Sequence, residues 1–282
     1  MILIKDCDFL GEVFEDMRKL KNIVKSAVFM LSAAALVACG AAKDESKPAD
    51  QGGAPQAESQ VITVGTEANF PPFEKQEGGE IVGFDIDIIK AIGAESGFDV
   101  DVQHMGWDLM LDGVDKGKVD TGVAAITIDE KRQQIYDFSD PYFEAKQIIL
   151  VKNDSTVASL DDLTGKKIAV QAGTTGDSLV RDKFGQTYEG VKGYEDIPAA
   201  VDDLLNGRVD AVVADDFVIK EFVKQIGDKG FKAVEDPSIQ NEYYGIIVKK
   251  GNQELLTKIN DGLNKIKENG KYDEIYTKYF PE

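Results

Sequence analysis

Apolar residues recur along this chain in two alternating rhythms. Val61-Ile62-Thr63-Val64 is a short apolar run of the buried-strand type, and a loop with Pro71-Pro72 follows from Thr66 to Glu74. From Asp85 the apolar positions Ile86, Ile88, Ile89 and Ile92 keep a 3.6-residue period until Gly97, which predicts a helix stopped by glycine. Val100 and Val102 alternate with polar residues as a half-buried strand does. The same alternation continues: a helix over Asp108–Lys116, strands over Val119–Ala125, Gln147–Val151 and Lys167–Gln171, and helices over Asp177–Phe184 and Ile197–Asn206. A strand over Val209–Ala214, a helix over Phe217–Ile226, strands over Phe231–Val234 and Tyr243–Val248, and helices over Leu255–Glu268 and Tyr272–Tyr279 complete it. Strand–helix alternation of this kind predicts an α/β fold whose parallel sheets are covered by helices.

The chain also echoes itself. Gly117-Lys118-Val119-Asp120-Thr121-Gly122-Val123-Ala124 resembles Gly207-Arg208-Val209-Asp210-Ala211-Val212-Val213-Ala214, and each copy follows an amphipathic helix. Two copies with the same flanks predict two similar lobes. Ligands collect at the carboxyl ends of strands in such sheets. Facing lobes would then form a cleft with Thr127 and Arg132 on one wall and Asp215 on the other.

The N-terminus departs from this pattern. Arg18, Lys19, Lys21 and Lys25 precede a short apolar stretch, Ala27–Ala38, that ends in Leu36-Val37-Ala38-Cys39-Gly40. Residues 1–38 read as an export signal whose apolar stretch is too short to span a bilayer comfortably, with a lipobox that marks Cys39 for lipidation. Met17 fits the start of such a signal better than Met1, because five acidic residues lie within 1–16. Residues 39–60 combine the lipidated Cys with an Ala/Gly/Pro/Ser-rich linker that cannot bury a core. A tether of about 20 residues has a root-mean-square span of about 25 Å.

Net charge is -19, and residues 1–38 are balanced at five basic and five acidic side chains, so the excess is all in the body. That disfavours nucleic acid and anionic lipid surfaces as partners. The two cysteines, Cys7 and Cys39, leave the body without disulfide or thiolate ligand, and His104 is the only histidine. Zinc chemistry and His-dependent nucleophilic catalysis have little to work with, and no metal or cofactor is expected.

Candidate chemistry centres on Ala124-Ala125-Ile126-Thr127-Ile128-Asp129-Glu130-Lys131-Arg132, an apolar run turning into a helix start with Asp129 as N-cap. By itself the stretch also fits a surface arginine in a first helical turn. Set against Asp215 it reads differently. Arg132 offers a planar fork matched to a carboxylate, helix-start donors add to it, and Asp215 suits an ammonium. Adjacent carboxylate and ammonium define an α-amino acid. Gly173 and Thr174, in Gly-Thr-Thr-Gly, could add donors. The rival phosphate-loop reading lacks the Lys-Ser/Thr that should follow the glycines. Phe70, Phe73, Trp107, Tyr142, Phe143, Tyr243 and Tyr244 cluster near the same strand ends, Phe73 as core and Trp107 as a candidate stacking face.

From Val61 to Phe280 the chain resembles the extracellular solute-binding proteins of polar amino-acid ABC transporters (solute-binding protein family 3). The matching stretches are Val64-Gly65-Thr66-Glu67-Ala68-Asn69-Phe70-Pro71-Pro72-Phe73, Gly83-Phe84-Asp85-Ile86-Asp87, Ile126-Thr127-Ile128-Asp129-Glu130-Lys131-Arg132 and Asp137-Phe138-Ser139-Asp140-Pro141-Tyr142. The resemblance implies a two-lobe periplasmic-binding-protein-like fold, with lobe 1 at 61–143 and 245–282, lobe 2 at 144–244, and two crossover strands near Phe143–Lys146 and Tyr243–Gly245. It implies hinge closure over the ligand and delivery to a membrane permease. By position, Arg132, Thr127 and the Ala125 backbone would take the ligand's α-carboxylate, with Thr175 and Gly173 helping. Asp215, with the Ala125 carbonyl, would take the α-ammonium. Phe70 and Trp107 would sandwich the side chain, and Glu67 and Gln171 would face its far end. The family often has a shorter acid at Glu67, and Ser or Gly where Ala124 and Ala125 stand, so the carboxylate here must rely on backbone and Thr127. Glu67 with aromatic faces suits a guanidinium or ammonium. Arginine is the leading ligand, with lysine, histidine and glutamine behind it. The expected protein is a monomeric, lipid-anchored binding protein on the outer side of the membrane or in a periplasm. An enzyme on the same fold, and a sensory or adhesive lipoprotein using the same pocket, are the rival classes.

Overall fold

The computed structural model describes residues 60–227 and 230–281. The export signal, Cys39 and the linker up to Ser59 lie outside the described residues.

The chain begins with β1 (Gln60–Thr66), then a small antiparallel sheet of β2 (Asn69–Phe70), β3 (Glu74–Glu77) and β4 (Glu80–Val82). Helix α1 (Phe84–Ser96) buries Phe84, Ile86, Ile88, Ile89 and Ile92 and ends at Gly97 in the left-handed conformation. Next come β5 (Phe98–His104), α2 (Trp107–Lys116), β6 (Thr121–Gly122), the short α3 (Glu130–Gln133) and β7 (Tyr136–Phe138). The long β8 (Phe143–Lys152) leads into β9 (Ile168–Gln171), α4 (Thr175–Phe184), β10 (Val191–Tyr194), α5 (Ile197–Leu205), β11 (Ala211–Asp215), α6 (Asp216–Ile226) and β12 (Phe231–Val234). The chain returns through β13 (Asn241–Tyr244) and β14 (Ile247–Lys249) and closes with α7 (Gln253–Glu268) and α8 (Lys271–Tyr279).

Two sheets carry the two lobes, in the orders β5-β1-β6-β14-β7 and β10-β9-β11-β8-β12. They are the same sheet twice. In each, three strands run parallel (β5, β1, β6; β10, β9, β11) and the next (β14; β8) is antiparallel to both its neighbours. The sequence echo has a physical counterpart at one turn. Gly117 and Gly207 both adopt φ 69°. Three residues on, Asp120 and Asp210 each accept the backbone N–H of the lobe's first parallel strand or its approach, Thr63 and Lys167, both at 2.8 Å. The backbone N–H of each aspartate returns a bond to the same residue, Asp120 to Thr63 O and Asp210 to Lys167 O.

Between the lobes β13 pairs antiparallel with β8, Tyr244 against Phe143 and Asn241 against Lys146. At the root of this pair lies an aromatic knot. Phe73 meets Phe143 at 4.9 Å and Tyr244 at 5.3 Å, and Phe280 meets Phe217 at 4.9 Å, Phe143 at 5.0 Å and Phe84 at 5.2 Å. Most of these pairs are tilted or edge-on, as the ring quadrupoles favour.

Three expectations are corrected. The strand expected over Val119–Ala125 is only Thr121–Gly122, because the backbone leaves the sheet before Ala125, which sits at φ 46°. The single strand expected over Tyr243–Val248 is two, broken at Gly245 and Ile246, where the chain steps from the crossover pair into the first sheet. The loop expected over Thr66–Glu74 contains β2. Strands β3, β4, β7 and β10 carry too little apolar periodicity to be read in advance.

Candidate ligand-binding cleft

Four strand ends converge on one cleft. Glu67 follows β1, Ala124 to Thr127 follow β6, Gln171 ends β9 and Asp215 ends β11. Parallel strands with helices above them leave their carboxyl ends open to ligands. The cleft is lined by Glu67, Phe70, Trp107, Ala124, Ala125, Thr127, Arg132, Gln171, Thr174, Thr175 and Asp215. Its empty volume of about 280 Å³ is at the small end for small-molecule sites.

Arg132 is held by its surroundings. Asp129 caps α3 by accepting the Arg132 N–H at 2.8 Å, and its other oxygen lies 3.3 Å from Nε. Nη1 donates to Thr127 O at 3.0 Å, Nη2 to Gly173 O at 3.4 Å, and the guanidinium stacks over Trp107 at 5.0 Å. Three of the five guanidinium donors are thus engaged, and two remain for a ligand. Burial pulls the Arg132 pKa down, opposed by Asp129, Asp215 and Glu242.

The acids are buried too. Glu67 accepts Gln171 Nε2 on both oxygens, at 2.9 and 2.7 Å, across the gap between lobes. Burial raises it to about 7, with the Gln171 bond opposing and Asp196, Asp108 and Glu195 adding. Asp215 accepts the Tyr244 hydroxyl at 2.5 Å, and burial, with the charge of Glu242, raises it to about 7.

Beneath the cleft floor lies a second acidic pair. Asp85 Oδ2 accepts the Ala125 N–H and the Tyr142 hydroxyl, both at 2.7 Å. Beside it, fully buried Glu74 is pushed well above the usual carboxyl range by burial and by Asp85. Two adjacent buried carboxyls cannot both ionise. Both oxygens of Glu74 and Asp85 Oδ1 have no hydrogen-bond partner, and a proton shared between the two carboxyls would pair Asp85 Oδ1 with one of the Glu74 oxygens and leave the other unpaired.

Of the expected site residues, Glu67, Phe70, Trp107, Ala125, Thr127, Arg132, Gln171, Thr175 and Asp215 line the cleft together. Gly173 does not. Its N–H donates to Asp177 at 3.2 Å, and its carbonyl accepts from Trp107 and Arg132. Thr174 takes its place. The Ala125 N–H is already committed to Asp85 and is no donor for a ligand. The hydroxyls of Thr127 and Thr175 both donate to Glu242, at 2.8 Å. Thr174 was named beside Gly173 as a candidate donor, whereas Ala124, the contacts of Glu242 and the Glu74–Asp85 pair went unassigned by sequence reasoning. Glu242 stands beside Tyr243 and Tyr244 in the chain, but only strand pairing reveals which side chains it meets.

Residues 62–282 match the family model described as bacterial extracellular solute-binding proteins, family 3. The chain belongs to this family. Among curated relatives, the probable histidine-binding protein of Neisseria gonorrhoeae is 38% identical over 258 residues, covering 90% of this chain and 94% of the relative. Among solved structures, the arginine-, lysine-, histidine-binding protein ArtJ of Geobacillus stearothermophilus is 43% identical with a TM-score of 0.77, covering 79% of this chain and 96% of that one. An ancestral arginine-binding protein bound to glutamine is 44% identical with a TM-score of 0.74, covering 79% and 98%. The two-lobe fold with its cleft is therefore that of a solute-binding protein, and among the described residues no helix is long and apolar enough to cross a membrane.

Proposed function

We propose that this solute-binding protein captures a free amino acid with a cationic side chain, arginine foremost, and delivers it to an ABC permease. The carrying observation is the charge balance of the cleft. Glu67 and Asp215 face one guanidinium, Arg132, so with both acids ionised a ligand of net charge +1 leaves no buried charge unpaired. In this reading Arg132 takes the α-carboxylate, Asp215 the α-ammonium, Phe70 and Trp107 the aliphatic stem, and Glu67 with Gln171 the side-chain cation. Relatives named for histidine, arginine and lysine support the ligand class.

Glutamine is the second reading. With Glu67 protonated the cleft balances a neutral amino acid, and burial raises Glu67 to about 7. A solved relative named as arginine-binding holds glutamine. Binding without turnover follows from the same balance, because the buried charges neutralise a zwitterion and leave no free base at a reacting centre. Lobe 1 is taken as 61–143 with 245–282 and lobe 2 as 144–244, closing about β8 and β13, with Cys39 as lipid anchor.

A thermal-shift panel of the twenty amino acids on protein stripped of ligand by unfolding and refolding tests this. Ligand at a thousand times its Kd stabilises by about 4 kcal/mol, and each kcal/mol moves Tm by roughly 2–4 °C at this size. Large shifts with arginine, lysine or histidine support the cationic reading. A shift with glutamine alone supports the second. No shift with any amino acid rejects both.

A further inference from the structure

Behind the two cleft threonines stands a carboxyl group that does not itself line the cleft. Glu242, on β13, lines a neighbouring hollow with Leu160, Leu179 and Asn241. Its Oε2 accepts Thr127 Oγ1 from the first lobe and Thr175 Oγ1 from the second, each at 2.8 Å, and Gln147 Nε2 from β8 at 3.4 Å. The two threonine oxygens are 3.4 Å apart, and Gln147 Nε2 also donates to Thr175 Oγ1 at 3.3 Å.

A hydroxyl carries one proton and can donate once. In both threonines that proton goes to Glu242, so toward a ligand each can only accept, Thr127 with its full acceptor capacity and Thr175 with what the Gln147 bond leaves. Lone pairs repel a ligand carboxylate and welcome an ammonium. Asp215, the acid nearest in role, lines the same cleft. We propose that Glu242 is a positioning residue that turns the Thr127 and Thr175 hydroxyls into acceptors. It thereby makes this wall select ligands that carry an α-ammonium, leaving the ligand carboxylate to Arg132. The inference rests on the amino-acid reading above and deepens it. Without Glu242 the hydroxyls rotate freely and can donate toward the ligand, and the wall loses its preference.

The test is a ratio of affinities. Calorimetry measures Kd for arginine and for 5-guanidinopentanoate, which lacks only the α-amino group, on wild type, Glu242→Ala and Glu242→Gln, each checked for folding by its melting curve. Wild type prefers arginine by at least about thirtyfold, as expected for a buried charge left unpaired. Glu242→Ala lowers that preference about tenfold, mainly by weakening arginine. Glu242→Gln, whose amide oxygen still accepts hydroxyls, keeps most of it. Equal weakening of both compounds, as loss of a mere tie between lobes would cause, or an unchanged ratio, overturns the inference while leaving the amino-acid reading intact. Wild type that binds no amino acid overturns both. Should Glu242→Ala not fold, Glu242→Met, which fills the space without an oxygen acceptor, decides in the same way: a ratio lowered about tenfold supports the inference, and an unchanged ratio overturns it.

Discussion

Glu67 and Asp215 are each raised to about 7 by burial. The folded protein therefore keeps protons there that the unfolded chain sheds in the ordinary carboxyl range. Stability of the unliganded protein falls as pH rises from that range through about 7. A cation seated on either acid favours its ionised form, so binding expels the proton and affinity rises with pH until about 7, then levels. Arginine brings two cations and glutamine one. At pH 6, arginine should release close to one proton more than glutamine, measured by calorimetry in buffers of different ionisation enthalpy, and Glu67→Gln should erase the difference. Equal release from both ligands in wild type would sink this account of Glu67. Asp215→Asn separates binding from folding. With Asp215 as the proposed partner of the ligand ammonium, its removal should weaken arginine by about 2–5 kcal/mol. The melting temperature should hold or rise, since a buried acid of raised pKa is gone. Arg132 and Asp215 were open to sequence reading as a pair, because opposite charges fall at the carboxyl ends of two echoing strands, whereas Glu67 came only from the family resemblance. The destination of each hydroxyl and amide proton was not, because Thr127 meets Glu242, 115 residues away, only once β13 is in place.

Among the elements, the helices were read best and the short strands worst. Helix α1 announces itself through four isoleucines on one face and a glycine stop, whereas β6 is two residues long and depends on neighbours on both sides. The echo at Gly117 and Gly207 was legible as a repeat of letters, and its meaning is a repeated aspartate clamp on the adjoining strand. A glycine of another kind starts α1. Gly83 has φ 146°, and a Cβ there would lie 2.0 Å from Phe73 O. Gly83→Ala should destabilise by about 3 kcal/mol or more, from overpacking and backbone strain together, read as a lower denaturant midpoint at constant m-value. Because Phe73 belongs to the aromatic knot, arginine affinity should fall with it. An unchanged midpoint would mean that the turn relaxes freely.

At the scale of the molecule, the two lobes meet at bonds made by groups that line the cleft, Glu67 with Gln171 and Trp107 and Arg132 with the Gly173 carbonyl beside it, and at Asn69 with Asp196 outside it. Opening as proposed would break bonds made at the site itself, which would tie occupancy to closure. In the proposed closure about β8 and β13, the knot at the crossover root would be the fixed end. Phe280 is its last contributor, touching α6 through Phe217 and α1 through Phe84. Phe280→Ala should lower stability by about 2 kcal/mol or more, seen in equilibrium unfolding, and loss of less than half a kcal/mol would show the knot to be loosely filled.

The position of β14 has a consequence for how the protein is made. In the first sheet β7 touches the rest only through β14, which lies 109 residues further along between them, counting from Phe138 to Ile247. A chain that emerges N-terminus first holds an unfinished sheet until its own end arrives, while the second sheet has all five of its path strands by Val234. The lobe begun first is completed last. Nascent chains arrested after residue 234 should protect the amides of β8 to β12 from hydrogen exchange and leave those of β7 open. Protection of β7 before residues 247–249 have been synthesised would refute this order. Until then the apolar face of the first lobe is on offer to any chaperone that meets it.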